Sequence, residues 1–365
     1  MKLTVQRETL LKPVQAVIGV VERRQTMPIL ANVMIRAHSG RLEITATDLE
    51  VELVASTPLE IETEGEITVP GRKLLDICRA LPEAAELRLE VSGDKLGVRS
   101  GRSRFSLSTL PASEFPVIEE VKGRQRLQVA QDRVRRLLEK TQFAMAQQDV
   151  RYYLNGMLLE VDGHTLRAVA TDGHRLALCE VELDVAAADA QQVIVPRKGV
   201  LELQRLLDGE GDLELTIGSS HVRVEIDGIR FTSKLIDGRF PEYGRVIPKD
   251  PDNRLLATRD ELRQALQRTA ILSNEKYRGI RLSLQPETLV IQAHNPEQEE
   301  AEEQVGVEYQ GQAMEVGFNV NYLLDALGAT DGERVQVGLA DSSSSCLIHS
   351  PDSQTTKFVV MPMRL

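Results

Sequence analysis

The stretch LRAVATDGHRLAL, residues 166–178, decides the fold. A mostly apolar run leads into an Asp-Gly pair and a second apolar run follows, which is typical of two strands joined by a tight turn. The same design recurs at residues 42–54, LEITATDLEVELV, and at residues 289–301, LVIQAHNPEQEEA, where Asn-Pro takes the turn. The turn residues lie 124 and 123 positions apart, at Asp48, Asp172 and Asn295. Repeats this long predict three similar domains in tandem.

Helix and strand patterns follow the same order in each copy of the repeat. Apolar residues at helical spacing predict six helices, at residues 7–22, 71–81, 131–141, 197–207, 259–272 and near 322–327. Pro70 is predicted to start the second helix, in its first turn, and Val195-Pro196 is predicted to precede the fourth helix. Alternating runs such as LRLEVSG and RFSLSTL predict strands, the last of them at residues 357–361. The predicted fold class is therefore α+β.

Two proline-containing connectors divide the chain. They lie at residues 111–122 and 247–252. A chain of 365 residues with 42% apolar content can build two or three ordinary cores, and the repeat favours three. The predicted domains are residues 1–124, 125–248 and 249–365.

The charge is unevenly distributed along the chain. A formal net charge of −11 argues against a generic nucleic-acid binder, which is usually basic. The six helix candidates together are nevertheless net positive, so the other residues are more acidic than the whole. One interpretation is ordinary solvated helix faces. The other is one basic helical layer that faces a polyanion, with an acidic surface elsewhere.

Few residues indicate metal, redox or membrane chemistry. Cys78, Cys179 and Cys346 stand alone, one in each copy, and the six histidines have no ligand spacing. We therefore expect three core cysteines, no metal site and no cofactor. No stretch approaches the roughly 18 uninterrupted apolar residues of a membrane span, which predicts a cytoplasmic protein.

The sequence lacks the common catalytic signatures. There is no phosphate loop, dinucleotide fingerprint, nucleophile elbow or HExxH helix. His174 beside Asp172 is interpreted as part of a turn rather than as an acid–base pair. The chain ends on VVMPMRL, which indicates either a core strand or part of an exposed apolar pocket that takes peptides. Both interpretations hold together if the strand is buried as far as Val360 and the last residues form a rim. We therefore predict a binding protein and not an enzyme.

Two oppositely charged patches lie at opposite ends of the chain. The basic patch flanks Phe105 and Leu107 and comprises Lys95, Arg99, Arg102 and Arg104. The acidic patch comprises Glu297, Glu299, Glu300, Glu302 and Glu303. Pairing of these ends between two molecules would close a ring. Twelve helices at about 10 Å spacing would leave a lumen of roughly 28 Å, wide enough for duplex nucleic acid.

Several strings together resemble the bacterial DNA polymerase III beta sliding clamp family. They are DVRYYLNGM (149–157), VATDGHRLA (169–177), IVPRKGV (194–200), GRFP (238–241), ILSNEKYRG (271–279), HNPEQEEAEE (294–303) and VVMPMRL (359–365). The resemblance covers the whole chain. It implies a non-catalytic, ring-shaped homodimer of three clamp domains per protomer, with helices lining the inside and antiparallel sheets outside. Such a ring encircles duplex DNA and tethers polymerases, which makes replication processive.

The resemblance also implies three groups of site residues. The partner-peptide pocket would comprise Leu154, Thr171, Gly173, His174, Arg175, Leu176, Pro241, Arg245, Val246, Tyr277, Asn319, Tyr322, Ser345, Val359, Val360, Met361, Pro362 and Met363, with Arg364 and Leu365 at its edge. The DNA contacts would be Arg24, Arg72, Gln148, Tyr152, Tyr153, Arg197 and Lys198. The dimer interface would comprise Lys73, Lys95, Arg102, Arg104, Phe105, Leu107, Ile271, Leu272, Glu297, Glu299, Glu300, Glu302 and Glu303. Ser343 and Gly244 depart from the family pattern beside the pocket.

The implied partners are double-stranded DNA, a second copy of the chain and several replication proteins. The latter are the polymerase III alpha subunit, the clamp loader, translesion polymerases and other proteins with a clamp-binding motif. The alternative from another class is a three-domain peptide-binding scaffold that forms no ring.

Overall fold

The computed structural model of the protein describes residues 1–21, 27–118, 123–249 and 251–364. The chain forms two compact units, Met1–Asp132 with Leu201–Leu235 (unit 1) and Arg133–Val200 with Ile236–Leu365 (unit 2). In the described ranges, every helix is too short or too polar to cross a membrane.

Six α-helices occur in the described residues. They are α1 (Arg7–Val17), α2 (Gly71–Ala80), α3 (Gln131–Thr141), α4 (Arg197–Leu206), α5 (Arg259–Thr269) and α6 (Val320–Ala329). All six lie where the apolar periodicity predicts them. In α2, for example, Leu74, Leu75 and Cys78 form the buried stripe.

The first helix is shorter than predicted. It ends at Val17 and continues as the 3₁₀ turn Ile18–Val20, whereas the predicted end at residue 22 lies outside the described residues. Arg205 of α4 donates from Nη2 to the Ala16 carbonyl at 2.6 Å, so the last turn is capped by a cation.

The position of Pro70 also differs slightly from the prediction, whereas that of Pro196 agrees with it. Pro70 is the last residue of a strand and the cap of α2, and Pro196 ends the strand before α4. Each proline therefore precedes the first helical residue, and Pro70 does not occupy the first turn of α2. Its fixed φ suits both the end of a strand and the entry to a helix.

Twenty-five strands occur in the described residues. Those of the first copy are β1 (Lys2–Gln6), β2 (Asn32–His38), β3 (Arg41–Thr47), β4 (Val51–Pro58), β5 (Ile61–Thr63), β6 (Gly65–Pro70), β7 (Glu86–Ser92), β8 (Lys95–Ser100) and β9 (Ser103–Ser108). Those of the second are β10 (Gly123–Ala130), β11 (Gly156–Asp162), β12 (Thr165–Thr171), β13 (Arg175–Glu182), β14 (Gln191–Pro196), β15 (Asp212–Gly218), β16 (His221–Ile226) and β17 (Ile229–Lys234). Those of the third are β18 (Asn253–Thr258), β19 (Gly279–Gln285), β20 (Thr288–His294), β21 (Glu300–Gly306), β22 (Met314–Asn319), β23 (Arg334–Leu339), β24 (Cys346–Ser350) and β25 (Ser353–Val360).

The order of elements is the same in all three copies. A strand and a helix are followed by four strands, a second helix and three strands, and only the first copy adds the short β5. The predicted threefold repeat is therefore confirmed. The last strand begins at Ser353 and ends at Val360, earlier at both ends than the predicted 357–361.

Each unit contains one eight-stranded sheet and one smaller sheet, all antiparallel. In unit 1 the large sheet has the order β10-β15-β16-β17-β4-β3-β2-β6 and the small one β5-β1-β7-β8-β9. In unit 2 the large sheet has the order β14-β11-β12-β13-β25-β24-β23-β18 and the small one β21-β20-β19-β22. Each large sheet joins four strands of one copy to four strands of the next, at β4·β17 and at β13·β25.

The three repeated hairpins share one turn chemistry. Their connections are residues 48–50 and 172–174 in the first two copies and the longer 295–299 in the third. Asp172 accepts the backbone N–H groups of His174 and Arg175, and Asp48 and Asn295 act in the same way in their own turns. This confirms Asp172 as a turn former.

The cores are apolar and include the three cysteines. Cys78, Cys179 and Cys346 are all free thiols and all buried, as predicted. Burial raises the pKa of the Cys346 thiol to about 12, which leaves it protonated and unreactive at neutral pH.

Candidate functional site

One face of the large sheet in unit 2 is an apolar floor. Alternate residues of a strand point to the same face of the sheet, so the side chains of cross-strand partners form rows across that face. One row comprises Ile194, Leu158, Val169 and Leu178, and the next comprises Thr171, Leu176, Val359 and Leu347. Their apolar members pack as one cluster. We call these two rows the floor.

The segment that follows Ile236 covers part of the floor. Ile236 donates its N–H to the Ile194 carbonyl at 2.9 Å, which fixes the start of the segment against β14. Phe240 is buried in the floor cluster, and Tyr243 and Val246 pack against it while remaining partly exposed. The segment therefore forms one wall of a groove whose base is the floor.

The turn at Asp172 forms the second wall. Gly173 has φ +88°, a conformation that favours glycine. Arg175, which follows this turn, has its guanidinium 4.5 Å from the centre of the Tyr322 ring and 5.5 Å from that of Phe143. Its guanidinium also forms ion pairs with Asp172 at 3.1 Å and with Asp325 at 2.5 Å, which fix the Arg175 side chain in place.

The C-terminal residues complete the rim. Val359 and Val360 are buried in β25, whereas Met361 is 38% exposed, as the terminal sequence predicts. The Met361 N–H donates to the His174 carbonyl at 2.9 Å. The Met363 N–H donates to the Gly317 carbonyl at 2.8 Å, so the tail is fixed at two points and still presents apolar side chains.

Most of the predicted pocket residues lie around this groove. Thr171, Leu176 and Val359 form part of its floor, Val246 one wall, and the turn and tail the remainder. Tyr277 is 55% exposed, and its carbonyl accepts the Asn319 side chain at 3.2 Å. Pro241, Arg245, Ser345, Pro362 and Arg364 are not members of the floor cluster, and Leu365 lies outside the described residues.

The two departures from the family pattern have simple local structures. Ser343 donates from both its N–H and its hydroxyl to the Asp341 carboxylate at 2.7 Å, so it is held in a polar turn. A side chain at Gly244 would meet open space, because nothing lies within 4 Å of the position of its Cβ.

Several contributors to the groove were not predicted from the sequence. Phe143 and Asp325 hold Arg175, while Phe240 and Tyr243 hold the covering wall. The only signal in the sequence was the Phe-Pro pair at Phe240, which recurs at Phe115. The others come from elements distant in sequence, so spacing alone could not bring them to the site.

The matching face of unit 1 has a different character. Glu52 and Thr232 take the positions of Leu176 and Val359, because each pair faces across the strand junction at the same register. Glu52 is 1% exposed and accepts the Ile118 N–H at 3.0 Å. The Glu52 carboxylate thus binds the segment that follows Phe115-Pro116. Among the described residues, this face of unit 1 has no comparable apolar floor.

We expect Glu52→Gln to stabilise the chain increasingly as the pH rises. Burial raises the pKa of the Glu52 carboxyl from 4.5, although the Ile118 N–H, Arg230 and Arg223 oppose the shift. Folding favours the neutral form of the Glu52 carboxyl. Its ionisation therefore lowers the free energy of unfolding once the pH rises above the pKa of this group in the unfolded chain. The gap in thermal midpoint between variant and wild type should be smallest below the ordinary carboxyl pKa of 4.5 and should widen as the pH rises above it. A gap that does not change with pH would contradict this.

Five of the predicted DNA contacts lie close together in unit 2. Tyr152 and Tyr153 belong to the 3₁₀ turn Tyr152–Leu154, and the Arg197 N–H at the start of α4 donates to the Asn155 carbonyl at 3.0 Å. Gln148 precedes the turn with φ +56°, and Lys198 follows Arg197. Arg72 lies exposed on α2 of unit 1, and Arg24 lies outside the described residues.

The loop that carries these tyrosines is tightly held. Arg151 binds both carboxylate oxygens of Asp149, at 3.0 and 2.9 Å, and these hydrogen bonds lower the pKa of Asp149 to about 2. Tyr152 nevertheless keeps 58% of its surface exposed. An exposed aromatic side chain on a rigid loop beside two cations suits a nucleic-acid surface.

The predicted interface residues lie along two sheet edges. Phe105 and Leu107 are on β9, the edge of the small sheet in unit 1, together with Arg104. The glutamates are on or before β21, the edge of the small sheet in unit 2. Phe105 is half-buried, Leu107 is buried, and Ile271 beyond α5 is 75% exposed. Lys73 is exposed on α2, and Leu272 is half-buried.

Within one protomer the acidic edge already has partners. Arg268 binds Glu303 in a bidentate pair at 2.6 and 3.0 Å, and Gln292 donates to Glu302 at 2.8 Å. Among the described residues, no group of three or more His, Cys, Asp or Glu side chains is arranged to hold a metal ion.

Comparison with known proteins finds close relatives. Three family models match in tandem: the N-terminal domain of the DNA polymerase III beta subunit at residues 1–119, its central domain at 128–242 and its C-terminal domain at 244–364. The beta sliding clamps of Pseudomonas aeruginosa and Escherichia coli are 57% and 53% identical, each with full coverage of both chains. A crystal structure of the P. aeruginosa sliding clamp bound to griselimycin is 56% identical, covers 100% of both chains and has a TM-score of 0.97.

Proposed function

Since this chain belongs to the DNA polymerase III beta subunit family, we propose a division of its residues among ring closure, partner binding and DNA contact. As a DNA sliding clamp it is a non-catalytic processivity factor of DNA replication. A three-domain scaffold without a ring is not favoured by relatives this similar. We assign the domains to residues 1–124, 125–248 and 249–365, and the site of action to the cytoplasm, where bacterial replication takes place.

The two unpaired sheet edges carry the proposal of a closed ring. The repeat makes β9 the counterpart of β17 and β25, and β21 the counterpart of β4 and β13. Within the chain β4 pairs with β17 and β13 with β25, so two of three possible junctions are formed. The third joins β9 of one protomer to β21 of a second copy. Because two such junctions relate the copies head to tail, the assembly closes.

The repeat also supplies the register of this third junction. In the two internal junctions, Phe231 faces Leu53 and Phe358 faces Ala177. Within their own copies, Leu53 and Ala177 are each paired with the alanine that lies two residues before the hairpin turn. In the third copy the equivalent alanine is Ala293, which pairs with Ala301. Phe105 therefore faces Ala301 of the second copy, and Arg104 faces Glu302.

The pleat supports this register. Phe105 and Ala301 both lie on the more buried faces of their strands, whereas Arg104 and Glu302 both lie on exposed faces. A shift by one residue would place buried side chains opposite exposed ones. Opposite charges on facing strands also stabilise the pairing and select against other registers.

We expect Arg104→Glu to weaken dimerisation, by roughly tenfold or more, because it places like charges on facing strands. Adding Glu302→Arg in the same chain should restore the dimer, since both junctions then regain opposite charges. Sedimentation velocity over a concentration series measures both effects. Arg88→Glu is the matched control, because Arg88 is exposed on β7, two strands from the edge, and lies outside the basic patch. Failure of the double variant to recover would show that the register is wrong.

The groove of unit 2 is the proposed site for partner peptides. Its floor is apolar and its rim is formed by the Asp172 turn and the tail, so it suits a short extended segment with two or three apolar side chains. A dimer carries two such grooves and raises the local concentration of any polymerase tethered to it. We assign to this groove the polymerase III alpha subunit, translesion polymerases, the clamp loader and other proteins with the same motif.

The proposed DNA surface needs only weak contacts. A ring that encloses duplex DNA leaves it by opening or by reaching an end, so tight phosphate binding would only slow its sliding. Tyr152, Tyr153, Arg197, Lys198, Gln148, Arg72 and Arg24 are assigned to this surface. Arg72 lies on α2, and Arg197 and Lys198 lie on α4. Both helices belong to the basic set found in the sequence, whereas the chain as a whole is acidic.

A further inference from the structure

A polar row borders the apolar floor of the groove in unit 2. It is the next cross-strand row of the same sheet and comprises Gln192, Glu160, Arg167 and Glu180. Glu160 is only 9% exposed, and both Arg167 and Gln192 donate to its carboxylate. Arg167 also donates to Glu180 at 2.6 Å. The row is therefore a fixed set of charges at the margin of an apolar surface.

Tyr243 joins the covering wall to this row. Its hydroxyl donates to Glu160 at 3.0 Å and accepts from Arg167 at 3.0 Å, while its ring packs against the floor cluster. Burial raises the pKa of the Tyr243 hydroxyl, although Arg167 opposes the shift, so the group remains a donor at neutral pH. Hydrogen bonds to charged groups in a partly buried site are among the stronger ones.

The backbone around Tyr243 transmits this anchorage to the groove. The Tyr243 N–H donates to the Pro241 carbonyl at 2.7 Å, and the Tyr243 carbonyl accepts the Val246 N–H at 2.9 Å. Pro241 and Val246 are thus fixed to the one residue of the turn Tyr243–Arg245 whose side chain reaches the polar row. The turn's own ion pair, Arg245 with Glu242, is largely exposed and adds little.

We infer that Tyr243 is a positioning residue for partner peptides. It fixes the distance between the floor and the wall made by Pro241 and Val246. This distance determines how closely the groove fits an apolar side chain of the peptide. This inference rests on the proposed function of the groove as a peptide site. Tyr243 acts by positioning the wall, whereas the floor residues supply the apolar surface beneath the peptide.

The test uses Tyr243→Phe in the full-length dimer, with griselimycin as the probe, because a 56% identical sliding clamp is bound to griselimycin in its crystal structure and we assign that ligand to the groove here. Removing the hydroxyl keeps the ring and frees the wall, so we expect affinity about five- to tenfold lower, mainly through faster dissociation. Surface-bound kinetics and calorimetry measure both quantities. Tyr309→Phe is the matched control, because Tyr309 is a buried tyrosine of the same unit whose hydroxyl donates to the Gln312 carbonyl at 2.6 Å. It should lower the thermal midpoint without changing the affinity.

A double-mutant cycle separates positioning from general destabilisation. Glu160→Gln should weaken binding by itself, and adding it to Tyr243→Phe should cost little more, because both remove the same anchor. Affinity of Tyr243→Phe within twofold of wild type, or full additivity in the cycle, would overturn the inference alone. Absence of griselimycin binding by the wild-type chain would instead overturn the proposed groove, and the inference with it.

Discussion

Replacing both Ile271 and Leu272 with aspartate should convert the dimer to monomers, with a dissociation constant raised on the order of a thousandfold. Ile271 is the second residue of the 3₁₀ turn Ala270–Leu272 after α5, and Phe143 has the same place after α3. Phe143 lies 5.9 Å, ring centre to ring centre, from Phe358 at the internal junction. By the repeat, Ile271 meets Phe105 of the second copy, so charges there would be buried without partners.

Sedimentation velocity at micromolar concentration checks this expectation, and retention on circular DNA gives a second measure because only a closed ring stays bound. Val185→Asp is the matched control, since Val185 is 77% exposed in the same unit but far along the chain from either edge strand. That variant should remain dimeric. A dimeric profile for the double aspartate variant would refute the proposed interface.

Ending the chain after Val360 should abolish detectable binding of griselimycin, with affinity at least about a hundredfold lower. The truncation removes the exposed Met361 side chain and the two backbone hydrogen bonds that fix the tail, to His174 and Gly317. It keeps β25 intact, so the strand junction with β13 and the floor residue Val359 remain.

Calorimetry with the truncated dimer measures the loss, and its thermal midpoint and sedimentation should stay close to those of the wild type. Those two measurements exclude unfolding as the cause. Wild-type affinity in the truncated chain would mean that the tail is not part of the binding site.

Local signals predicted much of the fold. The turn chemistry of Asp48, Asp172 and Asn295 identified all three hairpins, and apolar spacing identified all six helices. These features depend on residues within one turn or one pleat of each other, where short-range hydrogen bonding and burial decide the conformation. The same local rules could not place the end of α1, because the cation that caps it belongs to Arg205, almost two hundred residues later.

The sites were less accessible to sequence reasoning. The resemblance to a family supplied most of the proposed pocket residues, but not Tyr243, whose proposed role depends on a polar row built by four strands. Nor could spacing show that Arg175 is held between Phe143 and Tyr322. Such contacts form only when strands and helices from different copies of the repeat meet.

The sequence by itself determined the threefold repeat, its hairpins and the apolar end of the chain, because those patterns express local propensity and alternation. Only the tertiary structure decided which side chains face each other at the junctions between copies. The register at β13·β25 opposes Leu176 to Val359 and creates an apolar floor, whereas the same register at β4·β17 opposes Glu52 to Thr232. Pairing between strands far apart in the chain is set by whole-sheet packing. The contribution of one side chain at the junction therefore depends on which side chain faces it.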